Sequence, residues 1–332
     1  MTKKMRDNSE GVYDLVTHPQ MAYGSLPGIQ QPVARLIMGT MICSPDNMPY
    51  VRELLDHYVS VGGNCLDTAR VYGTEPAIGQ WLTGRGRRDD IVLIAKGSHH
   101  DASGPRVNPQ GIAEDLAISL DLLQTDYVDL YLLHRDDPNY PVGPIVEALN
   151  EHKQAGKIRA FGGSNWTHAR LQAANDYARE HGLTPFAASS PNFSLAVQNE
   201  PPWENCISAS SLPGEREWYA KAQFPLFSWS SQAQGFFTRR YAQDAPTDSE
   251  MVRVWYKDAN FERLGRVNQL AREKSVTPIQ IALAYVLCQP FPTFALIGPR
   301  SPQETESTME GLNLTLMPDE MAWLNLEGDR QP

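Results

Sequence analysis

Ile91-Val92-Leu93-Ile94-Ala95, then Asn108-Pro109 with Ile112, Leu116, Leu120 and Leu123, then Val128-Asp129-Leu130-Tyr131-Leu132-Leu133: this stretch decides the fold. The first and last runs are short and apolar, the signature of strands buried on both faces. Between them Asn108 is placed to cap a helix and Pro109 to occupy its first turn. The leucines and isoleucine then recur at helical spacing. A strand, a helix and a strand in this order form a parallel βαβ unit.

The same alternation extends outward in both directions. Further apolar runs are Ala34–Met38, Asn64–Leu66, Ile158–Phe161, Phe186–Ala188, Phe224–Phe227 and Thr293–Ile297. Helical signals separate most of them. Ala155-Gly156-Lys157 ends a helix before the fifth run, and Phe261, Leu264, Val267 and Ala271 mark an amphipathic helix. Thr277-Pro278-Ile279-Gln280 fits a capping box ahead of Ile281, Ala282, Tyr285 and Val286. Eight candidate strands favour a closed (β/α)8 TIM barrel, one α/β domain, with an open doubly wound sheet as the alternative. The length of 332 residues suits one such barrel. Residues 1–30, rich in Gly, Pro and Gln, read as an N-terminal arm ahead of a barrel at 31–332. Residues 191–214, with four prolines and no period, and residues 239–258 read as loops over the active face.

Composition excludes several function classes. Charged residues make up 20% and the formal net charge is -10, with no basic block, so nucleic acid and anionic membrane are not the expected partners. No apolar run reaches 18 residues, and the polar start Met1–Asp7 lacks a signal-peptide core. Cys43, Cys65, Cys206 and Cys288 are widely spaced, which points to free thiols in a reducing cytoplasm rather than a zinc site or disulfides. His99 and His100 adjoin each other, but no third ligand is placed near them, so no metal is expected. The glycines do not form G-x-G-x-x-G, so the dinucleotide fingerprint of an open sheet is missing.

Polar residues stand where the apolar runs stop. Asp67 follows Cys65-Leu66, Lys96 follows Ile94-Ala95, His134 follows Leu132-Leu133, and Ser164-Asn165 follow Phe161-Gly162-Gly163. In a (β/α)8 barrel the carboxyl ends of the strands form the active face, so these groups share one mouth. Each alone is explained by loop capping or core packing; the combination is not.

Four ordered segments resemble the aldo-keto reductase superfamily. They are Leu66–Gly73, Ile94–Lys96, Asp129–His134 and Gly156–Asn165, within a resemblance that spans about residues 33 to 327. The resemblance implies reversible reduction of an aldehyde, ketone or sugar carbonyl by NADP(H), with NAD(H) the other cofactor the family chemistry admits. It makes Asp67, Tyr72, Lys96 and His134 the catalytic tetrad. The roles have physical sense. A phenol near its ordinary pKa of about 10 is a weak acid at neutral pH. The Lys96 ammonium is expected to lower that value, Asp67 to hold Lys96, and His134 to orient the substrate carbonyl.

The resemblance also places Thr40, Asp67, Ser164, Asn165, Ser190, Trp229, Ser230, Gln232, Gln234, Arg240, Gly298, Arg300 and Glu304 on the cofactor, with Trp229 stacked on the nicotinamide. Departures from the family pattern are Ser190 for a glutamine, Ser231-Gln232 for Pro-Leu, and Ser307-Thr308 for Glu-Asn. Tyr72, His134, Phe193 and Trp203 are expected to line the substrate pocket, the last two as large apolar groups on a mobile segment. Two other functions compete. One is a slow cofactor-binding redox sensor or regulatory subunit, since channel-associated relatives share the Trp-Ser feature; the other is an NAD-dependent sugar dehydrogenase.

Overall fold

A computed structural model describes residues 20–238, 240–244 and 246–328. The first part of the expected arm, residues 1–19, lies outside the described residues.

The described chain opens with an antiparallel hairpin, β1 (Tyr23–Leu26) and β2 (Ile29–Ala34). Its turn, Pro27-Gly28, uses the left-handed backbone that glycine adopts freely, with φ of 86° at Gly28. The expected boundary near residue 30 therefore falls inside a hairpin. That hairpin covers the amino end of the barrel. Tyr23 Oη donates to the Gly62 carbonyl at 2.7 Å, and the Asn64 side chain accepts from Ala34 N and donates to the Pro32 carbonyl.

Eight parallel strands follow: β3 (Leu36–Gly39), β4 (Cys65–Asp67), β5 (Val92–Gly97), β6 (Val128–Leu133), β7 (Ile158–Ser164), β8 (Ala188–Ser190), β9 (Leu226–Ser228) and β10 (Thr293–Ile297). They pair in chain order, and β10 returns to β3 to close the barrel. The open-sheet alternative is thereby excluded. Nearly every strand residue is buried, as parallel strands covered by helices must be.

The surrounding helices are α1 (Met48–Ser60), α2 (Glu75–Arg85), α3 (Pro109–Leu123), α4 (Val142–Gln154), α5 (His168–Glu180), α6 (Glu215–Ala222), α7 (Ser249–Trp255), α8 (Asp258–Glu273), α9 (Pro278–Leu287), α10 (Pro302–Glu310) and α11 (Pro318–Leu324). Asn108 caps α3 by accepting from Gly111 N at 2.9 Å, as its sequence context predicts. Thr277 and Gln280 form the expected capping box of α9.

Two irregular segments differ from expectation. Residues 239–258 contain α7, whose cap Asp248 accepts from Glu250 N and Met251 N. Residues 191–214 form no helix or strand but are tied down. Asn192 bridges Ser208 and the Trp229 carbonyl, and Val197 exchanges hydrogen bonds with the Asn260 side chain. Backbone and side-chain groups of this loop thus hydrogen-bond to Trp229 and Asn260. No helix among the described residues is long and apolar enough to cross a membrane.

Candidate active site

The carboxyl ends of the strands surround a cavity of about 860 Å³. β4 ends on Asp67 and β5 carries Lys96 one residue before its end. The Lys96 ammonium donates to both Asp67 oxygens at 2.5 Å and to the Thr68 carbonyl at 3.2 Å. Both members of the pair are buried. Burial opposes the Lys96 charge, but Asp67 and then Tyr72 outweigh it, and its pKa is raised above an ordinary lysine's.

A short turn, Arg70–Tyr72, carries the phenol over this pair. Lys96 Nζ lies 5.3 Å from the centre of the Tyr72 ring. The expected pull of Lys96 on the Tyr72 pKa is present but does not set the net direction. Lys96 does pull it down, but burial is the larger effect and the phenol is raised. Tyr72 therefore carries its proton at neutral pH.

His134 follows β6 directly, and its N–H donates to the Gly97 carbonyl at 2.8 Å. Its ring stands edge-on to Tyr72, with centres 5.6 Å apart. Burial, then the Lys96 and Arg135 charges, holds the imidazole pKa well below the usual histidine range. A neutral imidazole, a protonated phenol and a buried ammonium–carboxylate pair thus meet at one end of the cavity. They can donate hydrogen bonds to an oxygen that gains negative charge.

The model of the aldo/keto reductase family matches residues 35–325. The chain belongs to this family. It is 29% identical over 302 residues to the aldo-keto reductase ausK of Emericella nidulans, covering 84% of this chain and 72% of the relative. It is 29% identical over 282 residues to the norsolorinic acid reductase of Aspergillus flavus, covering 81% of this chain and 69% of the relative. The fold matches the crystal structure of a thermostable aldo-keto reductase in complex with the inhibitor epalrestat. That match has a TM-score of 0.71 and 22% identity, and covers 93% of this chain and all of that one.

In this aldo/keto reductase the other expected site residues fall into two groups. One group, Ser164, Asn165, Trp229, Ser230, Gln232, Gln234, Arg240, Gly298, Arg300 and Glu304, lines the cavity. Ser164 Oγ donates to the Ser190 carbonyl at 2.8 Å. Asn165 sits in the left-handed region, with φ of 61°. Its amide donates to the His134 carbonyl and accepts from Trp229 Nε1 at 3.2 Å. Glu304 does not pair with the Arg300 guanidinium; its carboxylate accepts from Arg300 N at 2.7 Å. Among the described residues the Arg300 guanidinium makes no ion pair, and Arg240 Nε donates to Thr238 Oγ1 at 3.2 Å and makes no ion pair.

Three placements correct the expectation. Phe193 does not line the cavity. It is fully buried, with ring centres 6.2 Å from Tyr285 and 6.0 Å from Phe291. Ser190 is fully buried beside Ser164 and does not line the cavity; its backbone carbonyl accepts from Ser164 Oγ, and its own hydroxyl is buried with no hydrogen-bond partner among the described residues. Thr40 is buried too. Its hydroxyl donates to the Asp67 carbonyl at 2.9 Å and meets Thr74, which meets Thr68, so it braces the Asp67–Lys96 pair from behind.

Trp203 does line the cavity, with its ring centre 5.8 Å from that of Trp229. The sequence reading missed His99 and Arg135 on the cavity wall, and Met41 and Val71 at its rim. His99 packs edge-on against His134 with centres 4.9 Å apart. A usable signal existed: His99 and Arg135 lie one to three residues beyond strand-end residues already singled out. The described residues hold no cluster of three or more metal-ligating side chains, and all four cysteines are free.

Proposed function

We propose that this chain reduces the carbonyl of an aldehyde, ketone or sugar with NADP(H), using Tyr72 as proton donor. The observation that carries the reading is the convergence of Tyr72, the Lys96–Asp67 pair and neutral His134 on one end of a dinucleotide-sized cavity. His134 donates to the substrate oxygen and orients it. Tyr72 delivers its proton as charge builds on that oxygen, and Lys96 stabilises the phenolate left behind. Asp67 keeps Lys96 charged and in place. The relative named as a norsolorinic acid reductase supports the reductive direction.

The donor set fits a dinucleotide. Two arginines without carboxylate partners among the described residues, Arg240 and Arg300, and the capped start of α10 suit phosphates, the indole of Trp229 suits a flat ring, and Ser164 with Asn165 suits a carboxamide. A nicotinamide held there would supply the hydride. Because Glu304 is engaged by a backbone N–H, Arg300 is left for a 2′-phosphate, which favours NADP(H) over NAD(H). The four free thiols suit a reducing cytoplasm.

A panel of aldehydes, ketones and sugars with each cofactor, followed by nicotinamide absorbance, tests the reading. Multiple-turnover oxidation of NADPH by a carbonyl compound is expected. Tight cofactor binding with only single-turnover oxidation would replace this reading with a sensor. Faster sugar oxidation with NAD would replace it with a dehydrogenase.

A further inference from the structure

Arg135 follows His134 at the end of β6, is only 6% exposed, and lines the cavity. Buried charges in folded proteins are paired, because an uncompensated one costs several kcal/mol. Arg135 makes no ion pair among the described residues. Nε donates to the Glu204 carbonyl at 3.2 Å and Nη1 to the His134 carbonyl at 2.9 Å. Nη2 has no acceptor among the described residues.

The neighbouring acids are committed elsewhere. Asp67 is held by Lys96, and Asp136 by Arg170 at 3.2 Å. Glu204 offers its backbone carbonyl, while its side chain is exposed and forms no ion pair among the described residues. A guanidinium fork with a free face, beside the imidazole that meets the substrate oxygen, matches a carboxylate in geometry and charge. Three large apolar side chains also line the cavity while exposed: Met41, Val71 and Trp203, at 59%, 51% and 44%. Exposed apolar groups gathered at one cavity mark a surface for an apolar ligand.

We propose that the substrate is an acidic carbonyl compound, a flat apolar body bearing a carboxylate that Arg135 binds while His134 holds the carbonyl. The proposal rests on the carbonyl-reduction reading for the reaction, but the anion site stands on Arg135 alone. The carboxylate undergoes no chemistry; it anchors the far side of the substrate.

The test compares 3-carboxybenzaldehyde with its methyl ester in the wild type, Arg135→Gln and Arg135→Lys. Two quantities are read: kcat/KM, and affinity by calorimetry without reductant. The wild type should prefer the acid. In Arg135→Gln the acid-to-ester ratio should fall by about 10- to 100-fold, the range for a hydrogen bond to a charged group. Arg135→Lys should restore part of it, since charge returns without the fork. The ratio cancels any general damage from the lost bonds to Glu204 and His134. A wild type that does not discriminate, or a ratio unchanged in Arg135→Gln, overturns the proposal even if both compounds turn over. Acid-selective, Arg135-dependent binding without turnover of any carbonyl would leave the anion site standing and remove the reductase reading.

Discussion

Two walls of the cavity are built by different means. One is made of strand ends: Asp67, Lys96 and His134 leave β4, β5 and β6 within a residue of the barrel hydrogen bonds, and Tyr72 follows on a short turn. The other is the loop of residues 191–214, held by side chain–backbone bonds to Trp229 and Asn260. In the first wall, position along the strand decides what a side chain meets. In the second, two aromatics ten residues apart have opposite fates: Phe193 enters the core and Trp203 faces the cavity. A strand wall is thus suited to fixed chemistry, and a loop wall to substrate choice.

The strand wall should break most severely. Tyr72→Phe keeps the ring and removes the proton. Turnover should fall by about 10²- to 10⁴-fold, the usual contribution of general acid catalysis. Cofactor affinity, measured by fluorescence titration, should scarcely move. Near-normal turnover would remove Tyr72 from the mechanism.

That contrast also explains what was legible in the sequence. Strands β3 to β10 were readable because buried parallel strands are unbroken apolar runs, and Asp67, Lys96 and His134 because polar residues interrupt those runs at their carboxyl ends, whereas Tyr72, on a turn beyond β4, was reached only through the family resemblance. The hairpin β1–β2 was not read, although Pro27-Gly28 is a turn signal, because its polar residues mask the alternation. Helix α7 is seven residues long, too short to show a period; only Asp248 ahead of it marked its start. Ser190 and Thr40 were misplaced because resemblance carries position, not side-chain reach. Phe193 and Trp203 could not be told apart, since a loop without a period carries no face.

Within the loop, Phe193→Ala separates anchoring from recognition. The ring is fully buried between Tyr285 and Phe291, so its loss should cost about 3–5 kcal/mol of stability. Chemical denaturation would measure this. The preference among substrates should stay as in the wild type, because the ring does not reach the cavity. A changed preference at unchanged stability would return Phe193 to the pocket.

On the same cavity, Arg300→Ala probes the cofactor rather than either wall. The guanidinium is exposed and free of Glu304. NADPH should bind more weakly by roughly 1.5–3 kcal/mol, and NADH nearly as before. Tighter wild-type binding of NADH than of NADPH would show that Arg300 does not select the phosphate, and would make the Glu304 carboxylate the group that reads the ribose.

The smallest expected effect is at Trp203, and it is the most specific to the loop wall. The indole is 44% exposed and packs at 5.8 Å against Trp229. Little core is lost on truncation, so stability should change by less than about 1 kcal/mol. An aromatic partner contributes about 0.5–1.5 kcal/mol beyond its buried area. Trp203→Ala should therefore lower kcat/KM several-fold for a large flat carbonyl compound. A small aliphatic aldehyde does not reach the rim, so its kcat/KM should hold. Trp229 remains in place, so cofactor affinity should shift less than the affinity for the large substrate. Equal losses for large and small substrates, together with a lower melting temperature, would make Trp203 a strut like Phe193. The loop would then support the cavity without selecting what enters it.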